Sequence, residues 1–330
     1  MFKMQKMQMS DARAEKGRDV QAYSSDSQVV EKRIARAEKG RDVQAYSSDS
    51  QVVEKRIARA QMLEGSNSAK ISCVVLDWAG TTVDFGCFAP LDAFIAAFKA
   101  FGITPTIEET RAPMGLSKRD HIKSMLNEER ISRLWQEEYG QSFTGEDIER
   151  IYKAFEPMLF STLEKNDAII PEVLDAVAKL RQMGIRIGST TGYSKAMMVI
   201  VAHVAKMGGY TPDCLVCPDD TNGIGRPFPF MLWRNLEALG VASINNVIKV
   251  GDTVADIAEG KNAGCISVGV IRGSSMLGLS LLQYESKSSA QIVSLHDAAR
   301  HKFLGAGADF VLEDIGELPG LVRQLNEERK

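Results

Sequence analysis

The sequence predicts a doubly wound parallel α/β sheet with an inserted helical cap, and three observations carry that expectation. From Pro171 onward, short apolar runs closed by turn residues alternate with helix-like stretches, the pattern of strands covered on both faces by crossover helices. One earlier run, Ile71 to Leu76, stops at a carboxylate and breaks into a turn, Asp77-Trp78-Ala79-Gly80-Thr81-Thr82. Between that run and Pro171 lies a long helical stretch poor in strand signals.

The elements follow in order. Residues 12–34 recur unchanged as 35–57, and Ala58-Arg59-Ala60 opens a further copy, a period of 23 residues. Each copy has apolar residues for one short helix, Val29, Val30 and Ile34 in the first, and two copies are too few to bury a stacked core. Residues 1–69 are therefore expected to be a disordered extension, with Gly65-Ser66-Asn67-Ser68 as the linker into the folded part. After the first strand, Pro90 and Asp92 start a helix that carries Phe94, Ile95, Phe98 and Phe101 and closes at Gly102. Helical stretches then fall at 107–111, 118–126, 131–139 and 146–163, which places a cap over 86–165 and a catalytic core over 70–85 and 166–330. In the core, helices are expected at 173–183, 195–207, 229–239 and 255–263. Strands are expected at 185–189, 214–217, 247–250, 266–271 and 310–312, joined by right-handed crossovers. Residues 274–302 carry few strong signals.

Composition narrows the function. The 330 residues are 44% apolar and 25% charged with a net charge of −3, enough for a large core and without a long basic face for nucleic acid or a membrane surface. No apolar run approaches the ~18 residues of a membrane span, the N-terminus lacks the apolar stretch of a secretory signal, and ten acidic residues in 1–69 argue against a transit peptide. Five cysteines, an odd number scattered through core segments, fit a reducing compartment, so a cytoplasmic protein is expected. Cys214 and Cys217 form a C-x-x-C pair, but it lies in a strand and has no second pair to complete a zinc site.

Open α/β sheets bind ligands at the carboxyl ends of their strands, which is where Asp77 falls. A carboxylate there can attack phosphorus, while Gly80 and Thr81 offer N–H groups and a hydroxyl to phosphoryl oxygens. A second strand end, Ser189-Thr190-Thr191-Gly192-Tyr193, offers another hydroxyl and a glycine N–H. Gly225-Arg226-Pro227 adds a fixed positive charge suited to a phosphoryl dianion. In Gly251-Asp252-Thr253-Val254-Ala255-Asp256, paired carboxylates suit an oxygen-ligated Mg2+.

In this order the four segments resemble the haloacid dehalogenase superfamily of phosphotransferases, whose core is Rossmann-like. The resemblance covers roughly residues 70–330 and implies that Asp77 is the nucleophile that becomes aspartyl-phosphate. Phosphatases of that superfamily usually carry a second Asp two residues later to protonate the leaving oxygen; here that position is Ala79. The stretches Asp77 to Gly86 and Pro113-Met114-Gly115-Leu116-Ser117-Lys118-Arg119-Asp120-His121 closely resemble the phosphonoacetaldehyde hydrolase family. That resemblance implies a Schiff base between Lys118 and the substrate aldehyde, Mg2+ held by Asp77, Asp252 and the Ala79 carbonyl, and a homodimer formed through the cap. It also implies a site lined by Cys87, Met114, Gly115, Gly192 and Tyr193, and a place in 2-aminoethylphosphonate breakdown. An iminium gives the electrons of the broken carbon–phosphorus bond somewhere to go, so no acid is needed at position 79.

Lys118 must be neutral to attack, and desolvation under the cap, with Arg119 as a like charge, is expected to lower its pKa. His121, three residues on, shares its helical face and can move protons during imine formation. Asp256 is expected to orient the metal site rather than ligate. The alternatives are a phosphomonoesterase or phosphomutase of the same superfamily, or a non-catalytic descendant that binds a partner through its duplicated N-terminal segment.

Overall fold

The computed structural model describes residues 70–163 and 168–329, so the extension expected over 1–69 lies outside the described residues. Six strands, β1 (Cys73–Leu76), β2 (Arg186–Thr190), β3 (Cys214–Val216), β4 (Val247–Gly251), β5 (Ile266–Val270) and β6 (Phe310–Leu312), form one sheet in the order β3-β2-β1-β4-β5-β6. All neighbouring pairs are parallel. The chain builds β1 to β3 toward one edge, then returns across the sheet to lay β4 on the other side of β1. That reversal opens the crevice where such sheets bind ligands. Register brings the chemistry together: Leu76 pairs with Ser189 on one side and Val250 on the other, so Asp77, Thr190 and Gly251 leave the sheet at the same level.

Crossover helices explain why the strands read as continuous apolar runs. α6 (Val173–Gln182), α7 (Lys195–Met207), α8 (Phe230–Leu239) and α9 (Val254–Ala263) alternate with the strands. All four residues of β1 are buried, and Leu232, Leu236 and Leu239 of α8 pack with Cys73, Val75 and Val247 from β1 and β4. Five helices, α1 (Phe88–Lys99), α2 (Ile107–Arg111), α3 (Lys118–Asn127), α4 (Glu129–Tyr139) and α5 (Gly145–Leu163), are inserted between β1 and β2. Their core is an aromatic column in which the Phe94 ring stacks on Phe155 at 4.2 Å and on His121 at 3.8 Å. α1 ends earlier than its apolar pattern suggests. Its chain turns at Gly102 (φ 78) with the Ile103 amide bonded back to the Phe98 carbonyl, which leaves Phe101 in the closing turn.

The weakly patterned stretch 274–302 is helical: α10 (Leu281–Glu285) and α11 (Ser289–Gly305) occupy most of it, and α12 (Leu318–Glu328) closes the described chain. The 17-residue α11 buries only His296, Ala299 and Phe303, too thin an apolar stripe to register as periodicity. Its start was written in the sequence, since Ser288 and Gln291 form a reciprocal capping box, as Ser280 and Gln283 do for α10.

Phe303 fastens α11 to the sheet. Its fully buried ring packs with Ile257, Ile271, Ala299 and Ala308. Phe303→Ala is expected to destabilise the protein by about 3–5 kcal/mol, and the exposed neighbour change Leu304→Ala by no more than about 0.5 kcal/mol, in urea unfolding.

Candidate active site

Asp77 is buried at the mouth of the crevice with its amide donating to the Val250 carbonyl (3.0 Å). The loop after it is fixed from below by the Trp78 indole, which donates to Ser189 Oγ (3.0 Å), and by the Thr82 hydroxyl, which donates to the Asp77 carbonyl (2.9 Å). Gly80 sits at φ +84, and a Cβ there would fall 2.3 Å from Asp252 Oδ2, so no side chain fits. The N–H groups of Gly80 and Thr81, expected to face phosphoryl oxygens, are instead taken up by the turn, donating to the carbonyls of Val83 (2.8 Å) and Trp78 (3.1 Å). Thr81 contributes its hydroxyl, 3.4 Å from Asp252 Oδ1.

Arg226 ties these strand ends together. Its buried guanidinium donates to Asp77 Oδ1 (2.7 Å), the Thr190 carbonyl and hydroxyl (both 2.9 Å) and Glu259 Oε2 (3.0 Å), and pairs with Asp256 Oδ1 at 3.1 Å. Burial works against its charge, but Asp256, Asp77 and Glu259 together hold it protonated. Lys249, equally buried in β4, donates to Asp256 Oδ1 (2.7 Å) and lies 3.5 Å from Glu259 Oε2. Neither Lys249 nor Glu259 was singled out in the sequence, although a lysine inside the apolar run of a buried strand signals a paired charge.

Asp77, Asp252 and Asp256 bring one oxygen each within 4.8 Å of one another. Their neighbours separate the roles. Asp256 is engaged on both oxygens, by Lys249 and Arg226 on one and Thr253 Oγ1 (2.5 Å) on the other, and is held below the usual carboxylate range against the effect of burial by the charges of Arg226 and Lys249. Asp252 Oδ2 accepts from the Ser275 amide (2.8 Å) and hydroxyl (2.7 Å), while among the described residues Oδ1 has only the long contact to Thr81. Burial, followed by the charges of Asp77 and Asp256, pushes the Asp252 carboxyl well above its usual range. Four buried carboxylates thus face two buried cations, a donor set that fits a divalent ion between Asp77 and Asp252.

The opposite wall comes from the inserted helices. Ser117 caps α3, and Lys118 is the first residue of that helix. The loop before it presses on the core at two glycines: a Cβ on Gly115 (φ +90) would fall 2.3 Å from Thr253 Oγ1, and one on Gly192 would fall 2.4 Å from the Leu116 carbonyl. Arg226 Nη1 also donates to the Gly115 carbonyl (3.3 Å). The cleft so formed is lined by Asp77, Ala79, Cys87, Met114, Gly115, Lys118, Thr191, Gly192, Tyr193, Arg226 and Thr253. Of these, only Thr253 was not expected there.

Lys118 is 8% exposed, with Nζ lying 4.4 Å from the centre of the Tyr193 ring and 5.7 Å from that of Phe94. Burial brings its pKa down to about 8, reinforced by the charge of Arg226 and opposed by that of Asp77. The like charge is therefore Arg226 and not Arg119, which is 53% exposed and paired with Glu149 at 2.6 Å. His121 lies behind the cleft: Nε2 donates to the Thr110 carbonyl (2.9 Å), while Nδ1 is buried and has no hydrogen-bond partner among the described residues. Burial and then the Lys118 charge keep this imidazole neutral. The Cys87 thiol is likewise held neutral, by burial and then by the nearby carboxylates Asp84 and Asp252.

Comparison with known proteins gives a consistent picture. The family model described as haloacid dehalogenase-like hydrolase matches residues 71–264, and a second, related hydrolase model matches residues 223–318. The chain is 46% identical over 259 residues to a phosphonoacetaldehyde hydrolase from Bacillus cereus, covering 78% of this chain and 98% of that protein. It is 47% identical over 259 residues to a bifunctional phosphonoacetaldehyde hydrolase/aminoethylphosphonate transaminase from Clostridioides difficile, of which it spans only 41%. The crystal structure of a phosphonoacetaldehyde hydrolase-like protein from Oleispira antarctica superposes with a TM-score of 0.77 at 36% identity, covering 79% of this chain and 95% of that one.

Two outcomes are expected from the geometry. Reductive trapping of a small aldehyde on Lys118 with borohydride, followed by mass spectrometry, should rise with pH through a midpoint of about 8, because the neutral amine attacks; exposed lysines should titrate near ~10.4. Gly192→Ala should displace the loop carrying Lys118 and lower kcat/KM by about 100-fold, with little change in Tm.

Proposed function

The chain belongs to the phosphonoacetaldehyde hydrolase family of haloacid dehalogenase-like hydrolases, and on that footing we propose that it cleaves the carbon–phosphorus bond of phosphonoacetaldehyde to acetaldehyde and phosphate. The observation that carries this reading is the meeting of a buried lysine amine and a buried aspartate on opposite walls of one cleft, with Ala79 where an acid would otherwise stand.

In the proposed sequence, neutral Lys118 adds to the aldehyde carbon and loses water to give an iminium. Asp77 attacks phosphorus as the carbon–phosphorus bond breaks, and the bonding pair moves into the carbon skeleton to leave an enamine on Lys118. Protonation of the enamine carbon and hydrolysis release acetaldehyde, and water cleaves the aspartyl-phosphate. Arg226 holds Asp77 in line and offers charge to the phosphoryl oxygens, and the Thr191 hydroxyl is a further donor. His121, neutral with an unshared Nδ1 electron pair, is suited to relaying the protons of carbinolamine formation and dehydration. Met114, Cys87 and Tyr193 wall the two-carbon portion away from water.

Asp77, Asp252 and the Ala79 carbonyl would hold Mg2+, with Asp256 bracing the site from behind. When bound, the ion offsets the negative charge shared by the attacking carboxylate and the phosphonate. We further assign residues 86–165 to a cap and residues 70–85 with 166–330 to the catalytic core. A homodimer formed through the cap and a place in 2-aminoethylphosphonate breakdown complete the reading. Five free cysteines support a cytoplasmic setting, and among the described residues no helix is long and apolar enough to cross a membrane.

The test is acetaldehyde release coupled to alcohol dehydrogenase, with a sugar phosphate as control substrate. Acetaldehyde formation that requires Mg2+ and falls by at least about 1,000-fold in both Asp77→Asn and Lys118→Arg is expected, since each change removes a covalent step. Substantial acetaldehyde from Lys118→Arg would sink the imine, and phosphate from the sugar phosphate alone would make the protein a phosphomonoesterase.

A further inference from the structure

Arg111 ends α2 in the inserted helices, and its guanidinium reaches across to the core. Nη1 donates to two carbonyls at 2.9 Å each, those of Gly86, in the linker that enters the insertion, and of Ser275, in the loop after β5. The Phe88 ring beneath the guanidinium (5.2 Å) and Gly278, where a Cβ would fall 2.8 Å from Arg111 Cζ, leave that group one seat. The linker grips the same loop independently, through the Gly86 amide and the Gly273 carbonyl (2.8 Å).

Ser275 supplies both hydrogen bonds to Asp252 Oδ2, and these bonds decide which oxygen of Asp252 is left for an ion. The backbone that Arg111 holds on its carbonyl side is therefore the backbone that orients Asp252. We propose that Arg111 is a positioning residue that couples the seating of the inserted helices to the Mg2+ affinity of Asp252. The inference rests on the Mg2+ site put forward above. Its consequence is that the ion is held most tightly when the wall carrying Lys118 is in place. Partners one step behind a metal ligand typically change affinity by about 10–100-fold when removed, and Arg111 stands one step further back.

Calorimetric titration of the full chain with Mg2+ in the absence of substrate tests this, alongside Tm and steady-state kinetics for Arg111→Met, Arg111→Lys, Ser275→Ala and the Arg111→Met/Ser275→Ala double variant. Arg111→Met is expected to weaken Mg2+ binding by about 3- to 10-fold and Ser275→Ala by about 10-fold, with the double variant weaker than wild type by less than the product of the two. A merely structural arginine would lower Tm and leave the Mg2+ Kd unchanged, and that result, or fully multiplicative effects, overturns the proposal. If Arg111→Met does not fold, Arg111→Lys bears the same test, because a lysine keeps the charge but not the fixed fork of donors. A wild-type chain that binds no Mg2+ would overturn the metal reading itself; a wild type that binds it as tightly as the arginine variants would overturn only the coupling.

Discussion

The buried guanidinium of Arg226 is the interaction on which the carboxyl edge of the sheet depends. Asp77, after β1, and Asp256 and Glu259, both from α9, converge on it, and the Thr190 carbonyl and hydroxyl occupy the Nη2 face it presents to Asp77. Removing charge from water costs several kcal/mol per ion unless it is paired and hydrogen-bonded. A crevice with this many buried carboxylates is tolerable only because Arg226 and Lys249 run through the middle of it. The arginine also fixes where the Asp77 carboxylate points, so the side chain that stabilises the site also orients it.

The second wall obeys a different constraint, close approach. Gly115 and Gly192 allow the loop before α3 to lie against the core at distances that a methyl group on either would forbid. That contact removes Lys118 from water, and desolvation brings its amine into a range where a useful fraction is neutral near pH 8. Packing and protonation are thus the same event: the backbone contact that seats the helix also lowers the pKa of its first residue. The stacked rings of His121, Phe94 and Phe155 behind it give that helix a rigid mounting within the insertion.

Much of this was legible beforehand, for physical reasons that differ by residue. Asp77, Thr191 and Asp252 stand at strand ends, and strand ends are announced by local signals, an apolar run followed by small or polar turn residues. Parallel register then gathers them without further instruction. Arg226 instead comes from the loop between β3 and α8, ten residues past the end of β3. Lys118 was legible only through resemblance, because nothing local separates it from a surface lysine at a helix start. Glu259 looked like an ordinary helical glutamate; its role depends on α9 turning that face toward Arg226, which is tertiary information. The misassignment of Arg119 has the same origin, since adjacency in sequence suggested a neighbour that the helix turns outward to Glu149, while the charge that matters arrives from more than 100 positions away. α11 escaped because it covers the sheet with few apolar side chains, and only its capping serine and glutamine marked it.

Ala79 has a consequence outside the reaction itself. A cell holds many phosphate esters, and under the proposed reaction any of them small enough to enter the cleft would meet Asp77 as a nucleophile. An ester, however, leaves as an alkoxide, which needs a proton that a methyl side chain cannot give. Nor does an ester without a carbonyl offer Lys118 anything to condense with. On the proposed mechanism the missing carboxylate would therefore act as a filter on metabolism. It would let the protein share a compartment with sugar phosphates and nucleotides without draining them, and would confine turnover to substrates that bring their own electron sink.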